Sequence, residues 1–416
     1  MIHTLSAPVL YSLELTPACN NRCPGCYNVF IDDKQTRRGQ LRHRPLNAAQ
    51  WATVLDQIAP HASRIKLTGG EATLHPDFAA IVRAVADRGI EFSLFTNGRW
   101  LQPEILLDFL AAAPQLTGLV ISLHGHTAAE HEQFSGVAGS FAETVENIRL
   151  TVARGIPVTT STVLTQANQH ALDAIMDLAL ALGARHVTFN RYLGAPLPSS
   201  DLSKQELIRA VNLIDRLKAA GRPAQFGICV PQCLTPNSSS GCLAGVAYAT
   251  VDPWGNLRPC NHSYLLAGNL LKQSLEAAWH SHEMQAFREA VPAQCHECGV
   301  FSTCHGGCRA VAMELGLEKD PLIGDAIPLH AAPRLPAPLK LHPDMKPEPR
   351  YRLRVEQFGF VLLAGNAVVS LRPDAQPLLA AFNGKTTLRT LAQDFGQPAL
   401  SLVGTLYQKG LLALPL

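Results

Sequence analysis

Short apolar runs alternate with amphipathic stretches through the first half of the chain. The apolar runs have the length and β-branched content of buried strands, at residues 12–15, 64–67, 91–96, 119–123, 158–163 and 186–190. Helical periodicity follows between them, at 47–58, 77–88, 140–154, 169–182 and 203–219. This alternation predicts an α/β fold in which helices cover a parallel sheet. Six strands are too few for a closed eight-stranded barrel, so we expect a partial (β/α)6 TIM-like barrel.

The second half of the chain shows three further patterns. Residues 229–325 are rich in glycine, proline and cysteine with little periodicity, which predicts a domain organised by bound ligands. Residues 326–350 hold seven prolines, as is typical of an extended linker. The last part predicts a small α+β module of winged-helix size, with strands at 351–355, 359–363 and 367–371 and helices at 377–382, 388–395 and 400–410. The predicted segments are 1–222, 223–325, 326–350 and 351–416.

Composition narrows the functional classes. The 416 residues carry a formal net charge of only +2, which favours neither nucleic acid nor an anionic membrane as a partner. No apolar run is long enough to span a membrane, and the first residues lack a signal-peptide pattern, so we expect a cytoplasmic protein. In that reducing compartment the eleven cysteines indicate metal binding rather than disulfides.

Three cysteines follow the first predicted strand. Cys19, Cys23 and Cys26 have the spacing C-x3-C-x2-C. A loop of this kind can hold three irons of a [4Fe–4S] cluster and leave the fourth iron open to a small molecule. A zinc knuckle is the alternative, although zinc usually takes four ligands and no fourth Cys or His follows closely.

The context of this loop resembles the radical S-adenosylmethionine (radical SAM) superfamily, whose cluster loop follows the first strand of a partial barrel. Thr68-Gly69-Gly70-Glu71, after the second strand, is similar to the family's motif for the methionine amino group. Thr96-Asn97-Gly98 and Ile121-Ser122-Leu123 resemble motifs at the next two strand ends. The resemblance implies that S-adenosylmethionine is bound by Gly69, Gly70, Glu71, Asn97, Ser122 and Tyr27.

Two positions depart from that family. Gly25 replaces the aromatic residue that usually precedes the third cysteine, and the aromatic residue here is Tyr27. Ser135 stands before Gly136, where the family has an arginine. Both departures concern the adenosine part of the cofactor site rather than the cluster.

The later cysteines resemble the SPASM extension of some radical SAM enzymes. Cys242 and Cys260 bracket a glycine as C-x12-G-x4-C, and a C-x2-C-x5-C-x3-C run ends at Cys308. The resemblance implies two auxiliary [4Fe–4S] clusters. One would take Cys233 (or Cys229), Cys242, Cys260 and Cys308. The other would take Cys295, Cys298 and Cys304.

The second auxiliary cluster lacks a matching fourth cysteine. The family often has Asp-Pro-x-Cys there, whereas this chain has Asp320-Pro321-Leu322-Ile323. The fourth iron could stay open or take Asp320, Asp325 or Cys229. A zinc ribbon is the alternative for the whole segment, because C-x2-C pairs bind zinc well.

The residue after Cys260 bears on the chemistry. Sulfatase-activating members have a carboxylate base at this position, whereas this chain has Asn261, followed by His262. The difference argues against formylglycine formation. His262 is left as a candidate catalytic base, or as a histidine that only neighbours the cluster.

The C-terminal module resembles a PqqD-like RiPP recognition element, through residues 353–359, 388–391 and 410–412. The resemblance implies that the leader of a precursor peptide adds to its sheet as a further strand. A winged helix that binds DNA is the alternative, although lysine and arginine are sparse here and do not cluster on one predicted helix.

Together these resemblances imply a radical SAM oxidoreductase of the SPASM, PqqE-like kind. An external donor such as flavodoxin or ferredoxin would reduce the first cluster. S-adenosylmethionine would then yield a 5′-deoxyadenosyl radical, which abstracts hydrogen from a ribosomally made precursor peptide and leads to a C–C or C–S cross-link. One alternative is oxidative decarboxylation of a small molecule such as a tetrapyrrole. Another is a non-catalytic, zinc-stabilised adaptor for peptide or DNA.

Overall fold

The computed structural model of the chain describes residues 3–24, 26, 44–193, 201–227, 230–235, 241–324 and 341–416. Tyr27, Cys229 and Asp325 lie outside these residues. Ala7–Pro333 form one compact unit, and His3–Ser6 with Arg334–Leu416 form a second. Within the described parts of both units, no helix is long and apolar enough to cross a membrane.

The first unit alternates strands and helices as the apolar pattern predicts, and it contains two helices that the sequence did not predict, Pro103–Ala111 and Ala128–Ser135. Its first strands are β1 (Leu10–Glu14), β2 (Arg64–Thr68), β3 (Glu91–Thr96), β4 (Leu116–Ser122), β5 (Val158–Val163), β6 (His186–Asn190) and β7 (Ala224–Phe226). The helices between them are α1 (Ala48–Ile58), α2 (Phe78–Ala86), α3 (Pro103–Ala111), α4 (Ala128–Ser135), α5 (Ser140–Ala153), α6 (Leu172–Ala181) and α7 (Lys204–Ala219).

Neighbouring strands from β1 to β7 pair in parallel, in chain order. The predicted partial barrel is therefore confirmed, and three strands match their predicted limits residue for residue: β3, β5 and β6. Burial explains why the pattern is informative: α1 buries Trp51, Val54, Leu55 and Ile58, which recur at helical spacing. The side chain of Asn47 caps this helix by accepting a hydrogen bond from the Gln50 amide.

The middle segment has more regular structure than its composition predicts. It contains β8 (Tyr248–Val251), β9 (Asn256–Arg258), β10 (Gly268–Asn269), α8 (Leu275–Trp279), α9 (His282–Glu289), α10 (Phe301–Cys304) and α11 (Arg309–Glu314). β8 pairs in parallel with β1, and β9 and β10 extend the same sheet antiparallel. Trp279 and Met284 belong to the barrel's own hydrophobic core. Side chains of this segment therefore help to form a large hydrophobic core, whereas its composition predicts a domain organised by bound ligands.

The second unit has its own sheet and core. Its elements are β11 (Glu348–Pro349), β12 (Arg352–Glu356), β13 (Gly359–Ala364), β14 (Ala367–Leu371), α12 (Gln376–Ala381), α13 (Leu388–Gln408) and β15 (Leu412–Ala413). A kink at Gly396, with φ of 74°, divides α13 near the predicted break between two helices. The sequence did not predict that residues 3–6 belong to this unit, where the Ser6 amide donates to Glu356 Oε2 at 3.0 Å.

Candidate active site at the carboxyl ends of the strands

Cys19, Cys23 and Cys26 lie just beyond the end of β1, and all three are half-buried. The Cys26 amide donates to the Cys23 carbonyl at 3.2 Å, which closes the second half of the loop. Burial, and then the charges of the other two thiols, raise the pKa of the Cys23 thiol. Thiols in this setting stay neutral unless a positive centre takes the place of their protons, as iron does. The donor set therefore fits a cluster held by three thiolates.

Asn97, at the end of β3, contacts the same loop. Its Nδ2 donates to Cys19 Sγ at 3.7 Å and to Asn20 Oδ1 at 2.6 Å. The Asn21 amide also donates to Cys19 Sγ, at 3.4 Å. Hydrogen bonds to sulfur stabilise the thiolate and tune the potential of an attached cluster. Asn97 therefore helps to hold the cysteine loop in place.

Glu71 is completely buried, and its carboxylate is fully engaged within the protein. It accepts from Thr96 Oγ1 at 3.0 Å, from the Asn97 amide at 2.8 Å and from Thr73 Oγ1 at 2.7 Å. Burial raises its pKa, and these donors act in the opposite direction. The side chain thus joins the ends of β2 and β3.

Gly69 and Gly70 press against the segment that leads into the cysteine loop. The Gly70 amide donates to the Thr16 carbonyl at 2.7 Å, and the Glu71 amide donates to the Ala18 carbonyl at 2.7 Å. A Cβ on Gly70 would lie 2.3 Å from the Ala18 carbonyl oxygen, and one on Gly69 would lie 2.5 Å from that of Thr16. Both neighbours are backbone atoms, so the glycines are required by the approach of two chain segments.

Replacing Gly70 with alanine should therefore displace the cysteine loop. We expect reconstituted protein to hold roughly a third less iron, because one of three clusters is lost, and to bind S-adenosylmethionine at least about tenfold more weakly. Gly89→Ala is the control: it strains the backbone at a φ of 68°, but an added Cβ there has no neighbour within 4 Å. Equal iron content and affinity in both variants would contradict the packing role of Gly70.

Ser135, at the end of α4, holds the cysteine loop from the other side. Its carbonyl accepts from the Arg22 amide at 2.8 Å, and its hydroxyl lies 2.6 Å from that of Ser140. A Cβ on Gly136 would lie 2.6 Å from the Arg22 carbonyl oxygen. The position at which the family has arginine thus contributes backbone contacts to the loop in this chain. Ser122 lies half-buried at the end of β4, paired with Ser161 of β5.

Cys242, Cys260 and Cys308 form a second group of thiols. Burial, and then the charges of Cys308 and Cys242, raise the pKa of Cys260 to about 12. Arg309 is 1% exposed, and its Nη2 lies 3.9 Å from Cys242 Sγ and 2.7 Å from the Ala244 carbonyl. A buried guanidinium beside the thiols offsets their negative charge, as an anionic cluster requires.

Cys233 lies beside other thiols than those with which the family resemblance groups it. Cys233 shares one small pocket with three other thiols and with apolar side chains; the four cysteines are Cys233, Cys295, Cys298 and Cys304. Burial, and then the charges of its three partners, raise the pKa of Cys295 to about 11. Among the described residues, no three His, Cys, Asp or Glu side chains are grouped tightly enough for a single metal ion.

Asp320, a predicted alternative ligand, is engaged elsewhere. Its two carboxylate oxygens accept from Arg191 Nη1 and Nη2, each at 2.8 Å, in a bidentate pair. The Cys308 amide donates to the same carboxylate at 2.8 Å. Both side chains of the pair are almost fully buried. Asp320 therefore orients Cys308 and fixes the end of β6.

Asn261 lies in a buried polar network inside the barrel. Its Nδ2 donates to Glu14 Oε1 at 2.7 Å, and its Oδ1 accepts from Lys66 Nζ at 3.0 Å. Arg258 pairs with Glu14 in the same network. The amide satisfies a donor and an acceptor at once, which a carboxylate could not do beside Glu14. The hydrogen-bond network in the barrel interior therefore requires an amide, and not a carboxylate, at position 261.

A cavity of about 250 Å³ is lined by residues that pack near Cys23 and by residues that pack near Cys308. Tyr192 lines it, and Tyr192 also packs with Phe134 and Val163 against Cys23. On the other side, Val311 lines it and packs in the apolar cluster that contains Cys308. The remaining wall includes Leu202, Leu207, Tyr264 and Leu315.

His262 also lines this cavity. Burial lowers the pKa of His262 to about 3, helped by the positive charges of Lys66, Arg258 and Arg191. At neutral pH its imidazole is therefore uncharged. The cavity residues Tyr192 and Leu207 were missed by the sequence analysis, because an ordinary β-strand end and an amphipathic helix give no chemical signal.

Comparison with known proteins agrees with this geometry. Residues 13–179 match the model of the radical SAM superfamily, and residues 242–299 match that of an iron–sulfur cluster-binding domain, SPASM. The chain is 28% identical over 340 residues to the AdoMet-dependent heme synthase of Methanosarcina barkeri, covering 75% of this chain and 94% of that protein. It is also 28% identical over 343 residues to the PqqA peptide cyclase of Ruegeria pomeroyi, covering 78% and 88%.

The fold is also similar to a solved structure, that of Streptococcus suis SuiB bound to its precursor peptide SuiA. The TM-score is 0.63 at 16% sequence identity, over 77% of this chain and 76% of that one. At this identity the similarity supports the α/β barrel fold. The matched residues 13–179 begin inside β1 and include the first cysteine loop and both strand-end motifs described above.

Proposed function

Because the chain is a radical SAM enzyme with an iron–sulfur cluster-binding domain, we propose that it oxidatively modifies a ribosomally made precursor peptide by forming a C–C or C–S cross-link. The observation that carries this proposal is the second compact unit, a small sheet with an edge suited to an added strand. The similarity to a PqqA peptide cyclase supports the same substrate class.

The strand β14 is the edge that favours peptide binding. In the part of the chain that the structure describes, it pairs only with β13, in the order β12-β13-β14. Val369 and Leu371 pack against the unit's core, and their neighbours Val368 and Ser370 are not among the residues that do so. An extended leader could pair with the backbone of β14, and its side chains would decide specificity. This arrangement is what a PqqD-like recognition element would require.

The three cysteine groups would each hold a [4Fe–4S] cluster. Cys19, Cys23 and Cys26 would bind the first one, with Gly69, Gly70, Asn97 and Ser122 around S-adenosylmethionine. When bound, this pair supplies a hydrogen-abstracting 5′-deoxyadenosyl radical. The protein's own contribution is to fix the cysteine loop through Asn97, Ser135 and Gly70. A donor such as flavodoxin or ferredoxin would supply the electron, in the cytoplasm.

The cavity beside Tyr192 is the proposed place for the reacting part of the peptide. It adjoins the first cysteine loop through Tyr192 and the auxiliary group through Val311. A substrate held there would lie between the site where hydrogen is removed and a group that can accept an electron. Its largely apolar wall would exclude water from the reaction.

Filling this cavity should uncouple cleavage of S-adenosylmethionine from modification of the peptide. We expect Leu207→Trp to reduce formation of modified peptide at least about tenfold, because the substrate is displaced, while 5′-deoxyadenosine still forms. The control is Ile105→Trp, on an exposed position of α3 that is 65% accessible. Product formation would be followed by mass spectrometry of peptides encoded by short reading frames beside the gene. Unchanged coupling in the Leu207 variant would contradict this placement.

A small-molecule substrate is the second candidate function. It is favoured by the similarity to a heme synthase, whose name implies a tetrapyrrole product. Turnover of a propionate-bearing tetrapyrrole by the full chain, unaffected by removal of residues 346–416, would support that candidate. It would contradict the peptide proposal.

A further inference from the structure

We propose that Cys233 is the fourth protein ligand of the second auxiliary cluster, together with Cys295, Cys298 and Cys304. This inference rests on the proposed function only in taking the middle segment to hold two auxiliary clusters. In the family this ligand is a cysteine that follows Cys308 in sequence, and this chain lacks it. Here Cys233, which precedes the other three ligands in sequence, would take its place.

The first support is the shared pocket. Four thiols and the apolar side chains of Pro231, Val300, Phe301 and Ile323 line the same small space. In addition, the Gln232 amide, next to Cys233, donates to Cys304 Sγ at 3.4 Å. Hydrogen bonds from backbone amides to ligand sulfur are typical of iron–sulfur sites, and apolar walls limit the access of water.

The second support is the way in which Cys233 is presented. The Leu234 amide donates to the Pro231 carbonyl at 2.9 Å, and Thr235 Oγ1 donates to the same carbonyl at 3.3 Å. Thr235 is fully buried and Gln232 is 6% exposed. The turn at 231–235 is therefore anchored in the protein, and it fixes the direction of the cysteine it carries.

The third support is the state of the rival ligand. Asp320 is held by both terminal nitrogens of Arg191 and by two backbone amides, those of Cys308 and Leu322. Moving this carboxylate to an iron would break both hydrogen bonds that the buried Arg191 donates to it, and also the one donated by the Cys308 amide. The Cys233 thiol takes part in a backbone hydrogen bond with Gly324, a contact that can persist when the sulfur binds iron.

The test uses the full-length chain, with Cys19, Cys23 and Cys26 replaced by alanine so that only auxiliary clusters remain. Each further variant is reconstituted without air with iron and sulfide. The electron paramagnetic resonance spectrum is then recorded after reduction. Cys298→Ala and Cys242→Ala define which signal belongs to which auxiliary cluster. We expect Cys233→Ala to change the signal that Cys298→Ala removes and to leave the one that Cys242→Ala removes.

Two further variants keep the test decisive if the alanine protein folds poorly. Cys233→Ser should retain the cluster with a shifted signal, because its oxygen can replace sulfur, and added 2-mercaptoethanol should restore the original signal in Cys233→Ala. Cys229→Ala is the matched control. The proposal is overturned if Cys233→Ala alters the Cys242-dependent signal or neither signal, or if Cys229→Ala removes the Cys298-dependent one. None of these readouts needs a peptide, so they stand apart from the proposed function.

Discussion

Alanine at Cys19, Cys23 and Cys26 together is expected to abolish cleavage of S-adenosylmethionine. The three thiols lie at the carboxyl end of β1 and share one loop, which Asn97 and Ser135 hold in place. Without them no site remains at this end of the barrel where an open iron could bind the cofactor. We expect 5′-deoxyadenosine to fall to background in an anaerobic assay with dithionite, and iron to fall from about twelve to about eight per chain.

The control for this variant removes a different cluster. Cys295, Cys298 and Cys304 replaced by alanine should lower iron by a similar amount, because each group is taken to hold one cubane. Cleavage of the cofactor should persist there, since the first loop is untouched. If the two triple variants lose cleavage equally, or if neither does, the assignment of cofactor cleavage to the Cys19, Cys23 and Cys26 group is wrong.

Removal of residues 346–416 is expected to weaken binding of the precursor peptide at least about a hundredfold. Tethering of the leader raises the local concentration of the core peptide at the barrel, and that gain disappears with the tether. Residues 346–416 include β14 and the core made by Leu362, Leu391 and Val403, so the whole of the proposed leader site is removed. Fluorescence anisotropy of a labelled full-length peptide and of its leader alone measures the effect.

Single substitutions on the two sheet edges locate the leader more closely. Val368→Asp on β14 should weaken leader binding roughly tenfold, since it places a charge beside the pairing edge. Val355→Asp on β12 is the matched control, because Val355 is already 70% exposed and lies on the opposite edge. Equal losses in both variants, or full affinity after removal of 346–416, would contradict recognition of the leader at β14.

The barrel was predictable because its signals are local. Apolar runs such as Val158–Val163 are buried strands, and capping residues such as Asn47 mark helix starts within a few residues of sequence. The short strand β7, with the sequence Ala-Gln-Phe, has no such pattern and was missed. β8 was also missed as part of the barrel sheet, because its pairing with β1 joins residues more than two hundred positions apart.

The candidate site was predictable only where its signals are local in sequence. Close cysteine spacing identified the first loop, but grouping of the later cysteines depends on tertiary structure. Cys233 is nine residues from Cys242 in sequence and yet shares a pocket with Cys304. Glu71 shows the same limit: its motif was recognised, but its engagement by Thr96 and Asn97 follows from the meeting of β2 and β3.

The most direct test of the central claim is transfer of hydrogen from a peptide. A precursor peptide encoded beside the gene would be prepared in deuterated form and incubated anaerobically with the enzyme, S-adenosylmethionine and dithionite. The account predicts deuterium in 5′-deoxyadenosine and a peptide mass lower by the two atoms lost in one cross-link. 5′-Deoxyadenosine that contains no deuterium, with a peptide of unchanged mass, would contradict it.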